Sequence, residues 1–168
     1  MHDRYRQAML LSLRRQVILD LDSTVLTVYG RQQKAANGYN PRKCGRPSYL
    51  AVLCFEGQTR DCLEGELHPG NTHVLSVIQP LIERALGKVP ALKRLVVRAD
   101  AAFYDGRFRR WLEGRRAPYV IAARLTSPIK YRVAGLRYRR VRQEISTAEF
   151  RYCPQGWSQT AREVRTPS

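Results

Sequence analysis

Two aspartates follow short apolar runs in the sequence, at positions typical of residues that bind a divalent metal ion. Asp22 comes after the run QVILDL at residues 16–21, and Asp100 comes after LKRLVVRA at residues 92–99. Carboxylate oxygens are hard ligands of the kind that Mg²⁺ and Mn²⁺ prefer. Two such ions, held by converging carboxylates, activate a water or hydroxyl and neutralise charge on a phosphodiester. Both residues are therefore candidates for metal-dependent phosphodiester chemistry.

Asp20 is a rival of Asp22 for this role. It lies two residues earlier, and residues two apart in a strand project from the same face. A simpler alternative is that each aspartate only caps a turn or a helix, because aspartate is common at such positions. The residues taken alone leave these alternatives open.

The carboxylates can converge only if the two apolar runs are neighbouring strands of one sheet. Periodicity and turn residues predict the order strand, loop, β-hairpin, helix, strand, helix, strand. This order predicts an α/β fold, with an RNase H-like mixed sheet flanked by helices. The predicted strands cover residues 16–21 (with a possible extension through 25–30), 49–56, 60–67, 92–99 and 118–124, and the loop covers residues 30–48.

Two helices are predicted between these strands. Asn71 or Thr72 is the expected cap of a helix over residues 72–87, which Pro80 should kink or split. Its inward stripe is predicted to be Val74, Ile78, Leu81, Ile82 and Ala85. Asp105 is the expected cap of a second helix, over about residues 105–115.

The pattern changes beyond residue 127. Residues 130–142 and 149–153 alternate basic with apolar or aromatic residues, which favours short strands. These segments predict an inserted β-region near the C-terminus. Glu144, Glu149 and Glu163 lie in or beside these predicted strands and the tail, so none is favoured as a third metal ligand.

The charge predicts a polyanionic partner. Thirty Lys and Arg against fourteen Asp and Glu give a net charge of +16, and nucleic-acid phosphates are the commonest match for such an excess. The alternative is a basic protein whose charges are only solvated. The predicted nucleic-acid contacts are Lys34, Arg42, Lys43 and Arg46 in the loop, and Lys130, Arg132, Arg137 and Arg139 in the later basic segment.

Cysteines and hydropathy indicate a cytoplasmic protein. Cys44, Cys54, Cys62 and Cys153 form no CxxC pair and have no zinc-like spacing, so they are predicted to be free thiols, mostly in or near the core. No apolar run approaches the roughly 20 residues that span a bilayer.

Three segments together resemble the catalytic core of bacterial cut-and-paste insertion-sequence transposases of the DDE type. They are DLDSTVLTVYGRQQKAANGYNPRKCGRPSY at 20–49, GNTH at 70–73 and VVRADAAFYDG at 96–106. The resemblance covers roughly residues 16–157. It implies that Asp22, before Ser-Thr, is the first catalytic acid and Asp100 the second, with Mg²⁺ or Mn²⁺ as cofactor. Many members have Ser-Gly after the second acid, where this chain has two alanines.

The resemblance also implies partners and a division of the chain. The partners are DNA, as transposon ends and target, and a second copy in a synaptic complex, with a nucleoid-associated location. Residues 1–15 are expected to be a remnant of an N-terminal region, 16–127 a partial catalytic core, and 128–168 the start of the inserted β-region with a truncated tail.

The family's third acid, a glutamate on a later helix, has no match in this sequence. The chain is therefore expected to be a fragment that cannot join a transposon end to target DNA alone. Two other functions remain open: an RNase H-like metal-dependent nuclease, and a basic DNA-binding protein without catalysis.

Overall fold

A computed structural model of the chain describes residues 16–89, 94–143 and 145–153, and the backbone of residues 161–165. Residues 1–15, the expected N-terminal remnant, lie outside this range. The chain divides into two compact units, Met1–Ala122 and Ala123–Ser168.

The first unit contains a mixed six-stranded sheet. β1 pairs with β3 on one side and with β5 on the other; β6 follows β5, and both β2 and β4 pair with β3. The β1–β3 and β3–β4 pairs are antiparallel, whereas β1–β5 and β5–β6 are parallel. The predicted mixed sheet and hairpin are thereby confirmed. The strands are β1 (Val17–Thr27), β2 (Ala36–Asn37), β3 (Pro47–Glu56), β4 (Cys62–Pro69), β5 (Leu95–Ala99) and β6 (Tyr119–Ile121).

The strand bounds agree with the prediction in part. β1 is one strand of 11 residues that ends at Thr27, so the possible extension of the apolar run at 16–21 is confirmed as far as that residue. Pairing with β3 along nine consecutive residues holds this extension in place. β6 has only three residues, although residues 118–124 were expected to form a strand.

The core lies on one face of this sheet. Val17, Leu19 and Leu21 alternate with more exposed residues along β1, as the period of two in a strand requires. They form one apolar cluster with residues of β3, β5 and both helices of the unit. Asp20 and Asp22 belong to the opposite face.

The first helix, α1 (Val74–Gly87), has the predicted inward stripe, and all five of its residues are buried. The predicted cap is wrong: His73 Nδ1 accepts from the Leu75 amide at 3.4 Å. Thr72 is instead part of a turn, because its amide donates to the Pro69 carbonyl at 2.9 Å. Pro80 does not split the helix, which continues to Gly87.

The second helix, α2 (Gly106–Gly114), begins where the sequence predicts. Asp105 Oδ1 accepts from the Arg107 and Phe108 amides at 2.7 and 3.0 Å, which confirms the predicted cap. Phe108 and Leu112 are buried, and Trp111 stacks on Phe108 with ring centroids 5.9 Å apart. A single 3₁₀ turn, Ala101–Phe103, connects β5 to this region.

The second unit contains α3 (Ser127–Ala134) and a three-stranded antiparallel sheet of β7 (Arg139–Arg142), β8 (Ile145–Tyr152) and β9 (Ala161–Arg165). The prediction of strands over residues 130–142 is wrong for its first part, which is helical. Pro128 lies in the first turn of α3, where its fixed φ favours a helix and its missing N–H costs nothing. Ile129 is the buried residue of this helix.

The cysteines are free but more exposed than the sequence predicts. All four cysteines are free, as expected, but only Cys54 is buried; Cys44, Cys62 and Cys153 are exposed. The expectation that most lie in the core is therefore wrong.

Within the described ranges, no helix has the length and apolar character of a membrane span.

Candidate active site

Strand register brings Asp22 and Asp100 to the same level of the sheet. Leu21 lies opposite Ala99 in the parallel β1–β5 pair, and the two aspartates are the next residue along each strand. Asp100 keeps an extended backbone, with φ −81° and ψ −176°. Asp100 directly follows β5, so continuing the β1–β5 register by one residue would set it beside Asp22, at about the 5 Å spacing of neighbouring strands.

Both carboxylates have capacity to bind a metal ion. Asp22 and Asp100 are exposed. Asp100 Oδ1 accepts from the Ala102 amide at 2.9 Å and caps the 3₁₀ turn, so the turn-cap role considered for this residue is also present. A single hydrogen bond from a backbone amide leaves most of the acceptor sites of a carboxylate free to bind a metal ion. Two hard oxygen donors on a rigid strand pair fit a small divalent ion.

Among the described residues, no third ligand lies beside this pair. In the part of the chain that the structure describes, no group of three or more His, Cys, Asp and Glu side chains is arranged to hold a metal ion. Glu149 is exposed on β8 in the second unit. The side chains of Glu144 and Glu163 lie outside the described residues.

Asp20 is engaged by a different partner. Arg98 lies opposite Asp20 in the β1–β5 register and forms hydrogen bonds with both of its carboxylate oxygens. Arg98 Nε donates to Asp20 Oδ1 and Nη2 donates to Oδ2, each at 2.5 Å. The hydrogen bond to Asp20 raises the pKa of Arg98 above its ordinary value. The geometry therefore favours Asp22 over Asp20 as the metal ligand.

Sequence reasoning overlooked this ion pair, although a signal for it exists. Asp20 precedes Asp22 by two residues, and Arg98 precedes Asp100 by two. Because the two spacings are equal, a register of parallel neighbouring strands that sets Asp22 beside Asp100 also sets Asp20 beside Arg98.

The β3–β4 turn packs against the ion pair. A Cβ added to Gly57 would lie 2.8 Å from Arg98 Nη2 and 2.9 Å from Asp20 Oδ2, closer than real side chains approach. The buried Glu56 fixes this turn, because its Oε2 accepts from the Gln58 and Thr59 amides at 3.0 and 2.7 Å. Gly57 thus provides the space in which Arg98 and Asp20 meet.

The chain as a whole matches one family model, "Transposase DDE domain group 1", over residues 1–166. The chain belongs to the DDE transposases. This confirms the family to which the sequence motifs pointed. No curated protein matches the sequence of this DDE domain.

Solved structures of transposases resemble the DDE domain in fold. The piggyBac transposase synaptic complex with hairpin DNA matches 89% of this chain at 13% identity, with a TM-score of 0.50. The Mos1 mariner paired-end complex with Mn matches 79% at 16% identity and 0.45, and the Mos1 catalytic domain 82% at 17% and 0.41. The piggyBac match supports the predicted RNase H-like mixed α/β fold. The DDE domain spans 32% of the piggyBac chain and 43% of the Mos1 chain in the paired-end complex.

The basic loop of the DDE domain, residues 28–46, is anchored at the far end of β1. Asn40, which is buried, donates from Nδ2 to Thr27 Oγ1 at 2.8 Å, and its Oδ1 accepts from the Lys43 amide at 3.1 Å. The Tyr49 hydroxyl donates to the Gln33 carbonyl. Thr27 is five residues beyond Asp22, which corresponds to about 17 Å along a strand. The loop is therefore tied to the sheet at the end of β1 that lies beyond Asp22.

The predicted nucleic-acid contacts fall into two groups in the DDE domain. All eight side chains are exposed. The first group lies in the basic loop, where Arg46 also approaches the Tyr29 ring, with Cζ 6.0 Å from the centroid. The second group does not share one sheet face, because Lys130 and Arg132 lie on α3, Arg137 lies in the following connection and Arg139 begins β7.

Proposed function

We propose that this DDE domain binds divalent metal ions through Asp22 and Asp100 and serves in DNA cleavage at transposon ends and strand transfer into target DNA. The observation that supports the proposal is the β1–β5 register, in which Leu21 lies opposite Ala99, directly before the exposed Asp22 and Asp100. Family membership supplies the reaction class. Mg²⁺ is the proposed cofactor and Mn²⁺ a substitute for it.

The residues of this chain would hold the metal and prepare the site for DNA. A divalent ion bound there supplies charge neutralisation and activation of the attacking water or 3′-hydroxyl. Asp22 sits within a long strand and lies opposite Leu53 of β3, and Asp100 is held by the hydrogen bond that its Oδ1 accepts from the Ala102 amide. Ligands fixed in this way need little reorganisation when the ion binds.

DNA is the proposed partner, as transposon ends and as target. The net charge of +16 favours a phosphate backbone, and the basic loop together with α3 and β7 carries the proposed contacts. A second copy in a synaptic complex is proposed by analogy with the piggyBac synaptic complex. A nucleoid-associated location would follow from the proposed binding to DNA. That the 168-residue chain does not join strands alone stays a prediction.

Calorimetry with Mn²⁺ tests the metal site. We expect Asp22→Asn or Asp100→Asn to weaken Mn²⁺ binding at least 10-fold, because each removes one of the two anionic ligands. Glu83→Gln is the matched control, since it removes one negative charge on α1, where Glu83 pairs with Arg115. Its Mn²⁺ affinity should equal that of the wild type.

Two results would contradict the proposal. If Mn²⁺ binding survives both aspartate substitutions, Asp22 and Asp100 are not metal ligands. If the folded wild-type chain binds duplex DNA but no Mn²⁺, the chain is a basic DNA-binding protein without a catalytic centre.

A further inference from the structure

We propose that Arg98 is a positioning residue that keeps Asp20 out of the metal coordination, so that the ion is bound by Asp22 and Asp100 alone among the carboxylates of this sheet face. This inference rests on the proposed metal site. It gives a role to an ion pair that neither the sequence motifs nor the family assignment explains. The following contacts carry it.

Without Arg98, three carboxylates would compete on one face. Asp20 and Asp22 are separated by about 7 Å along β1, and Asp100 lies level with Asp22 across the strand pair. Paired metal ions at such sites lie about 3.5–4 Å apart, so a free Asp20 would be within reach of an ion on its side of the site. A free Asp20 would therefore add a ligand and one negative charge next to the metal position.

Arg98 has the geometry to withhold this ligand. Its Nε and Nη2 occupy both oxygens of Asp20 at 2.5 Å, the paired arrangement in which guanidinium binds carboxylate most strongly. A lysine offers a single ammonium and leaves more acceptor capacity on the carboxylate. Arg98 thus blocks coordination by Asp20 through two fixed bonds as well as through its charge.

The surroundings hold the pair in this arrangement. Gly57 leaves no space for a side chain between the turn and the ion pair, and its amide donates to the Ile18 carbonyl at 2.7 Å. The Arg98 side chain is 49% exposed and the Asp20 side chain 34%. The pair is therefore open enough to exchange partners if Arg98 is removed, and Asp20 can then turn towards a cation.

Water proton relaxation with Mn²⁺ tests this role, because it counts the water molecules bound directly to the ion. We expect Arg98→Gln to lower the number of bound waters by about one and to tighten Mn²⁺ binding several-fold, since Asp20 replaces a water. The double variant Arg98→Gln with Asp20→Asn should return both quantities to wild-type values. A merely structural role for Arg98 would not produce a rescue by removing a second charged group.

Arg84→Gln is the matched control, because Arg84 forms an exposed ion pair with Glu66 between α1 and β4. It should change neither water number nor affinity. Should Arg98→Gln fail to fold, Arg98→Lys serves in its place, with a smaller change of the same sign. An unchanged water number in a folded Arg98 variant, while Mn²⁺ binding still requires Asp22, overturns this inference alone. Loss of the Asp22 requirement in the wild type overturns the proposed metal site as well.

Discussion

Asp22 and Asp100 are neighbours because of backbone register, and no hydrogen bond between them is needed to bring them together. The same register aligns Asp20 with Arg98 two residues earlier. The β1–β5 strand pair therefore carries two neighbouring pairs of side chains, Asp20 with Arg98 and Asp22 with Asp100, which differ in their ability to bind a cation. The first is a closed ion pair, and the second is a pair of exposed carboxylates that can accept a cation.

Cys54 shows how burial changes the chemistry of a single residue. It is fully buried on β3. This burial, with smaller contributions from Cys62, Glu64 and Asp20, raises the pKa of its thiol from 9.0 to about 12. A raised folded-state pKa means that its contribution to stability is complete below about pH 9 and is lost as the pH rises towards 12.

We therefore expect the free energy of unfolding to fall above pH 9 by up to about 1.4 kcal/mol per pH unit from this one group. Urea denaturation at pH 8 and at pH 10.5 measures the change. Cys54→Val has no titrating thiol at this position, so its loss between the two pH values should be smaller. Equal losses in the two proteins would show that the thiol ionises as easily in the folded state as in the unfolded state.

At the level of elements, local sequence signals succeed where their partners are close in the chain. The Asp105 cap and the buried stripe of α1 involve residues within one or a few helical turns. Pro128 is a signal for the start of α3, whereas the alternation of basic and apolar residues that follows it predicts strands. Because residues 127–134 form a helix, Lys130 and Arg132 do not project from one face as they would in a strand.

The basic loop depends on a close backbone approach that the sequence does not reveal. A Cβ on Gly38 would meet the backbone of Gly70 and Asn71, which cannot move as a side chain can. We expect Gly38→Ala to displace the loop and weaken duplex DNA binding about 5-fold or more, as measured by fluorescence anisotropy, while Mn²⁺ affinity stays unchanged.

Gly30→Ala is the control for this substitution. The atoms nearest to its added Cβ belong to the flexible side chain of Gln32, at 3.2 Å or more, so DNA affinity should be preserved. If both variants bind DNA as the wild type does, the anchored conformation of the loop is not needed for DNA binding.

At the scale of the whole molecule, we expect the positive charge to govern the proposed association with DNA. The net charge of +16 spans both units, and each neutralised phosphate adds to the salt dependence of binding. We expect Lys43→Gln in the first unit and Arg139→Gln in the second each to lower the slope of log affinity against log salt by about 1. A salt series from 50 to about 200 mM covers the range in which such slopes are measured.

Arg115→Gln is the matched control for these two variants. Its guanidinium already pairs with Glu83 and lies over the Trp111 ring at 4.5 Å from the centroid. Removing it subtracts the same formal charge but should leave the slope unchanged. A uniform effect of all three substitutions would indicate that only net charge matters, with no localised contacts.

The sequence by itself determined the order of the main elements of the first unit, the two candidate carboxylates, the family and the excess of positive charge. These follow from periodicity, residue chemistry and short motifs, each contained within a few tens of residues. Only the tertiary structure decided that Arg98 forms an ion pair with Asp20, which lies 78 residues earlier. The tertiary structure also decided that the backbone of the basic loop at Gly38 lies close to the backbone of Gly70. Such pairings depend on how distant strands align, and local sequence carries no direct record of that alignment.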